Sequence, residues 1–448
     1  QEDAVAFASD ASSDRSVTDL ESGNLVVEDG MSIQAAIDAA EAGDTISVGA
    51  STGSYDGVFG IKEEGVTLQA APDAGKPQID FLFPHAVKGP NGVKYYHPDN
   101  LLTDVTIDGF VIEKSDDTPL SSMVFIDDDN MTIKNNDFVN LGEFFHVKSS
   151  KDFVIQGNTF TGIGDLASVS FGIGDGGNIT NGVIEDNEID GQYGISGAFG
   201  EDLNSRGIQV VNATTPETGD GFGAKILGNT VENIKHQGIQ VVNSEAVTIE
   251  NNTVTNAGAG DDDGAIRVYG VLNDVTIQGN TLQDSAIGFD VEASADLKDA
   301  AFTNNTVQNN DIGMLFEDGT DATIRIEGNN FIGNDVSVRI GGKLTLVDDS
   351  EDVLASFDGE TFDQDNARDV HETLLDQNNT GDSFTSVFFD GDDTFQFGSD
   401  GDETLTGGDG DDILEGGVGN DILVGGAGDD ELNGGPGDDI IDAADSNT

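Results

Sequence analysis

Carboxylates recur every nine residues towards the end of this 448-residue chain. The copies are G-G-D-G-D-D-I-L-E from Gly407, G-G-V-G-N-D-I-L-V from Gly416, G-G-A-G-D-D-E-L-N from Gly425 and G-G-P-G-D-D-I-I-D from Gly434. A weaker copy, G-S-D-G-D-E-T-L-T, begins at Gly398. The sixth position supplies Asp412, Asp421, Asp430 and Asp439, and the first full copy adds Asp409. Glycines such as Gly408, Gly417 and Gly426 permit a tight turn and leave backbone carbonyl oxygens facing inward. Repeated hard oxygen donors suit calcium and not a transition metal. Without a cation, stacked turns would set like charges against one another. The expectation is Ca2+ held by these residues.

A second constellation lies in the middle of the chain. Four segments align as G-I-Q-V-V-N from Gly207, G-I-Q-V-V-N from Gly238, A-I-R-V-Y-G from Ala265 and A-I-G-F-D-V from Ala286. With Ile and Val turned inward, one outward column reads Gln209, Gln240, Arg267 and Gly288, and the next reads Val211, Val242, Tyr269 and Asp290. Lys235 and His236 precede one of these strands, and Asp261, Asp262 and Asp263 precede the following one. Cations are scarce here, so Lys235, His236 and Arg267 on neighbouring coils form a candidate catalytic patch with Tyr269 and Asp290. Arg267 or calcium would neutralise a sugar carboxylate, while Tyr269, His236 or Lys235 would move protons. Gln209 and Gln240 are candidate substrate contacts. So are Tyr95 and His97, in an irregular stretch at 81–100 that holds three of the eight prolines. The bland reading of all these residues is the solvated face of a sheet.

The elements that must position them follow from another repeat. The pattern apolar–apolar–x–x–Asn–x–apolar places Asn at 136, 158, 187, 229, 252, 280, 305 and 329. Neighbouring differences run 22, 29, 42, 23, 28, 25 and 24. A period of this size marks a solenoid. Val, Ile, Thr and Phe alternate with polar residues, which is strand patterning. A recurrent Asn suits a left-handed bend and can hydrogen-bond along a stack. The expected fold is all-β: a right-handed parallel β-helix with an N-terminal helix cap, followed by a parallel β-roll. The cap is S-I-Q-A-A-I-D-A-A-E-A-G from Ser32, with Ser32 as N-cap and Gly43 as terminator. Domain boundaries are expected at 1–27 (a flexible acidic leader), 28–345 (the β-helix), 346–397 (linker and C-terminal cap) and 398–448 (the roll).

Composition narrows the function classes. Eighteen basic against 86 acidic residues give a net charge of −68. Such a surface repels nucleic acid and anionic membranes, and it suits a saline setting or heavy binding of divalent cations. No cysteine is present, so no disulfide framework exists. No stretch reaches the length of an apolar membrane span.

The nonapeptides are identified as the RTX type. Cap helix, Asn-marked coils and nonapeptides together resemble secreted, calcium-dependent mannuronan C5-epimerases and the wider pectate-lyase-like group. The resemblance implies secretion to the cell exterior or surface and lyase or epimerase chemistry on an acidic polysaccharide or cell-surface glycan. It rests on architecture: where those epimerases carry Asp-Pro-His, this chain reads Phe145-His146-Val147. The alternative class is a non-catalytic, calcium-dependent surface or matrix scaffold, with self-association open to it. The charge of −68 favours that class, because a polyanionic ligand would be repelled except through calcium bridges. Other β-helix chemistries such as glycoside hydrolysis also stay open, the carboxylates being too numerous to pair by sequence.

Overall fold

A computed structural model describes residues 5–6 and, with interruptions, 23–443. Besides single residues and pairs, it leaves out 1–4, 7–22, 89–93, 97–102, 114–122, 140–144, 162–168, 172–177, 192–205, 218–220, 259–262, 358–369, 375–385, 389–393 and 444–448. The chain divides into two units, residues 1–235 and 236–448.

In the first unit the alternation of β-branched and polar residues produces short parallel strands in three sheets. Like residues stack on like. In one sheet Ile107 pairs with Ile133, Ile133 with Ile155, Ile155 with Ile184 and Ile184 with Ile226. All five are essentially removed from solvent. Each such side chain contributes roughly 1.5–3 kcal/mol by burial. A second sheet stacks Phe138 on Phe160, with ring centroids 4.7 Å apart and planes 8° from parallel. The helix spans Ile33–Ala39 and buries Ile33, Ala36 and Ile37. Ser32 caps it by accepting a hydrogen bond from the Ala35 amide. It ends sooner than the sequence suggests: Ala40 is the C-cap, and Gly43 serves a later turn at φ +87°. Inside the expected leader, Asn24–Val27 is a strand, and Val5–Ala6 pairs with it in parallel.

The second unit repeats the plan. Its sheets stack Ile249–Ile277–Phe302–Ile326, Val254–Leu282–Val307–Phe331 and Ile266–Phe289–Met314–Val338. Within the expected linker, Val353–Phe357 folds back antiparallel on Lys343–Val347. Ser386–Phe388 extends the third sheet from Val336–Ile340, and Thr394–Phe397 turns back along it. That strand leads into the nonapeptides, where Phe395 pairs with Ile413 and Leu414 with Leu432. The opposite face pairs Leu405 with Leu423 and Leu423 with Ile441. Two nonapeptides thus make one coil of 18 residues, and Leu405, Leu414 and Leu423 form its core.

The marker asparagines are inward-facing ladders within each unit. In the first, the side-chain amides of Asn136, Asn158 and Asn187 donate to the next Asn Oδ1 at 3.1, 3.0 and 2.9 Å. In the second, Asn252, Asn280 and Asn305 do the same, each at 3.0 Å. The left-handed bend falls one residue earlier than expected. Asn135, Gly157, Asp186, Gly228, Asn251, Gly279, Asn304 and Gly328 all have φ between 53° and 69°. The marker asparagines make the stacking bonds the sequence suggests, while the bend itself belongs to the preceding residue, which turns each marker side chain into the interior.

Candidate functional site

The nonapeptide roll places its acids in two rows, Asp412 with Asp430 and Asp421 with Asp439, the members of each row 18 residues apart. Asp412 and Asp421 are completely buried. Their backbone amides donate to Asp430 Oδ1 at 3.1 Å and to Asp439 Oδ1 at 3.0 Å. Asp421 Oδ2 is buried with no hydrogen-bond donor. Such an oxygen is costly unless a cation meets it. Gly408 and Gly426 adopt φ +124° and +118°, conformations that expose carbonyl oxygens and that side chains avoid. Gly417, at φ +87°, lies on the alternate row. Asp409 is exposed. Among the described residues no group of three or more acidic or imidazole side chains is placed to hold a metal ion by itself. The donor set therefore fits calcium, provided the turn carbonyls complete the shell around Asp412, Asp421, Asp430 and Asp439.

The second site lies wholly in the 236–448 unit and is built around Arg267. The strand Gly264–Tyr269 turns Ile266 and Val268 inward and leaves Arg267 on the outer face, its side chain 17 % exposed. Each guanidinium nitrogen faces its own carboxylate. Nη1 donates to Asp263 Oδ1, Nε lies 3.2 Å from Asp290 Oδ2, and Nη2 donates to Glu317 Oε1 at 3.4 Å. Asp263 is a hub: its Oδ2 is 2.8 Å from His236 Nδ1, and its Oδ1 also accepts from Gln237 Nε2 at 2.5 Å. Glu317 Oε2 is fixed from the other side by the Ala293 amide at 3.2 Å. Gly264 allows the approach, since a Cβ there would sit 2.9 Å from Asp290 Cβ.

Asp290 is entirely buried, and neither of its oxygens meets a donor in hydrogen-bonding geometry. Burial pushes its carboxyl up to about 8; Arg267 opposes this, while Glu317 and Asp263 add to it. Burial is the largest cause of that rise, and Glu317, the third carboxylate on the Arg267 guanidinium, adds to it. Burial works against the charge on Arg267, but Asp290, Asp263 and Glu317 outweigh it and hold the guanidinium above its ordinary value. The assembly has groups suited to give and take protons: the buried Asp290, raised to about 8, lies on one side, and an imidazole held by a carboxylate on the other.

The sequence brought Arg267, His236 and Asp290 into one patch, and in the structure they share one cluster, with a shifted register. Arg267 pairs with Asp290 and Gln240 with Arg267, so Asp290 stands beside the guanidinium and not beside Tyr269. A slip of two residues leaves the same side chains inward, so apolar alternation could not detect it. Tyr269 is half-buried beside Val242, and among the described residues no hydrogen bond joins it to the cluster. Gln240 is buried next to Arg267. Lys235 and the buried Gln209 belong to the first unit. Tyr95 sits on a short antiparallel ribbon with Val87. His97, Asp261 and Asp262 lie outside the described residues. Glu317 and Gln237 were missed, as was the central role of Asp263. The only available signal for Glu317 was its place one coil beyond Asp290.

Residues 91–282 match the family model described as right handed beta helix region. Residues 397–432 and 415–447 match the RTX calcium-binding nonapeptide repeat. The chain is thus a right-handed parallel β-helix carrying RTX repeats. No curated protein sequence matches it. Among solved structures it is similar to the catalytic unit of an alpha-1,3-glucanase from Streptomyces thermodiastaticus: 16 % identity, TM-score 0.43, 71 % of this chain and 63 % of that one. An alginate lyase from Paenibacillus shows 15 % identity and a TM-score of 0.40, over 69 % of this chain and 95 % of that one. The A-module of a mannuronan C-5 epimerase from Azotobacter vinelandii shows 11 % identity and a TM-score of 0.34, over 94 % of this chain and 87 % of that one. This chain therefore spans under two thirds of the glucanase unit, and likenesses this distant concern the fold alone.

Proposed function

We propose that this is a secreted, calcium-dependent polysaccharide-active protein whose acid–base site is the cluster of His236, Asp263, Arg267, Asp290 and Glu317. The observation that carries the reading is the fully buried Asp290, placed with Glu317 on the Arg267 guanidinium, where burial raises its carboxyl to about 8. Glu317, 27 % exposed, is the member of that pair a substrate can reach, and His236, 15 % exposed, is the accessible member of the other. Glu317 would deliver the proton and His236 would take one up, with Asp290 and Asp263 as positioning residues. Calcium in the RTX roll would stabilise the C-terminal coils by pairing their buried carboxylates, through Asp412, Asp421, Asp430, Asp439 and the turn carbonyls.

A second reading, a non-catalytic scaffold, is favoured by the way every Arg267 nitrogen is satisfied internally, as a structural ion network would require. Glycan turnover by the full chain in calcium separates the two. Loss of turnover in His236→Gln and in Glu317→Gln, with unchanged circular dichroism, supports the enzyme. Absence of turnover in the unaltered protein across a broad glycan panel leaves the scaffold.

A further inference from the structure

The expectation from sequence is an acidic polysaccharide, with Arg267 neutralising the sugar carboxylate. The geometry points to a different substrate class: we infer that the Arg267 cluster hydrolyses an uncharged glycan and discriminates against uronic acids. The inference rests on the acid–base reading above and refines it.

The argument is one of donor availability. A guanidinium grips a carboxylate through two of its nitrogens acting as a fork. In Arg267 all three nitrogens already face carboxylate oxygens, from Asp263, Asp290 and Glu317. A uronic acid arriving here would bring a further carboxylate towards an acid-rich ring holding one guanidinium. The other cations with defined partners in the unit are likewise engaged: Lys298 by Asp296, Arg325 by Glu327 and Lys343 by Asp321. Epimerisation and β-elimination both begin by removing the C5 proton of a uronate, and that proton is acidic enough only when the adjacent carboxylate is neutralised. Among the described residues, the Arg267 guanidinium has no nitrogen left for that task.

Hydrolysis needs no such donor. It needs one carboxyl to protonate the departing oxygen and one base to activate water. The proton of the buried Asp290 is relayed through the more exposed Glu317, its neighbour on Arg267, to the glycosidic oxygen as the bond from C1 to that oxygen breaks. A water oxygen bonds to C1, and its proton goes to His236, whose Nδ1 is held by Asp263. The developing positive charge at C1 is met by carboxylates, so an acid-rich ring favours this transition state. Water is the only co-reactant, and solvent returns the two protons to their starting places.

The test compares each uronan with its own carboxyl-reduced form, which has the same linkages without the charge. Oligogalacturonate, oligoalginate and their carboxyl-reduced counterparts are presented to the full chain in calcium, beside neutral glucans, xylan and galactan. New reducing ends and unsaturated or epimerised products are measured separately. The inference expects reducing ends from at least one neutral glycan and no unsaturated or epimerised product. It also expects kcat/KM for the charged form of any accepted linkage to be lower by about tenfold or more. Turnover of a uronan as well as, or better than, its reduced form overturns the substrate class. If that turnover is still lost in His236→Gln, the acid–base site survives. No turnover and no binding of any glycan, charged or neutral, overturns both.

Discussion

Replacing Asn280 with Leu tests the ladder that sets the coil register around the site. Asn280 is 1 % exposed. Its Oδ1 accepts from the Asn252 amide at 2.8 Å and from Asn252 Nδ2 at 3.0 Å. Its Nδ2 donates to Ile249 O at 2.9 Å and to Asn305 Oδ1 at 3.0 Å. Leucine removes all four bonds, at about 1 kcal/mol each, and leaves the Asn252 backbone amide as a buried orphan at about 1–3 kcal/mol more. The added apolar burial returns roughly 2 kcal/mol. The net loss is therefore about 3–5 kcal/mol. Asn304→Gly provides the contrast, because Asn304 holds the left-handed bend at φ +55° and glycine tolerates that conformation, at a cost below about 1 kcal/mol. Urea unfolding in saturating calcium, followed by circular dichroism, measures both. Should Asn280→Leu match the unaltered protein, or should Asn304→Gly prove the more damaging, the stability would reside in the bend and not in the ladder.

Three further outcomes follow from the same structure. Chelation of calcium should lower the unfolding temperature of the C-terminal coils, and Asp421→Asn should weaken the calcium dependence, because the buried Asp421 Oδ2 would lose its cation; scanning calorimetry with EDTA and with calcium reads both. Asp290 titrates near 8 when folded and near 3.8 as a free side chain, so its contribution is complete below the lower value and is lost as pH rises through the upper one. Relative to Asp290→Asn, stability should fall by up to about 1.4 kcal/mol per pH unit inside that window, and parallel pH profiles for the two proteins would contradict the buried proton. Gly264→Ala should cost about 1–3 kcal/mol and loosen the cluster, since the new methyl meets Asp290 Cβ at 2.9 Å; an unchanged melting temperature would show that the strands yield without penalty.

Much of this architecture was legible because solenoid repeats write their geometry in sequence. The Asn markers gave the coils, and the nonapeptides gave the roll. Ser32, followed by apolar residues at helical spacing, gave the cap. What stayed hidden depended on register. The similarity of A-I-R-V to A-I-G-F invited pairing Ile266 with Ile287, whereas Ile266 pairs with Phe289. Both choices keep the same faces inward, and only packing decides between them. Glu317 stayed hidden for a related reason, since it follows the strand Ile312–Phe316 and shows its relation to Arg267 only once three coils are stacked. The saturation of Arg267 could not be foreseen either, because in a chain with 86 acidic residues sequence cannot choose which three will surround one guanidinium.

The central claim is that a proton held by the buried Asp290 drives chemistry on a glycan, and the pH dependence of kcat/KM tests it most directly. For a substrate that the unaltered protein turns over, the account predicts an alkaline limb near pH 8, where Asp290 loses its proton. In Asp290→Asn that limb should move away from pH 8 towards the acid side, with the fold intact by circular dichroism. An alkaline limb at the same pH in both proteins would contradict the account.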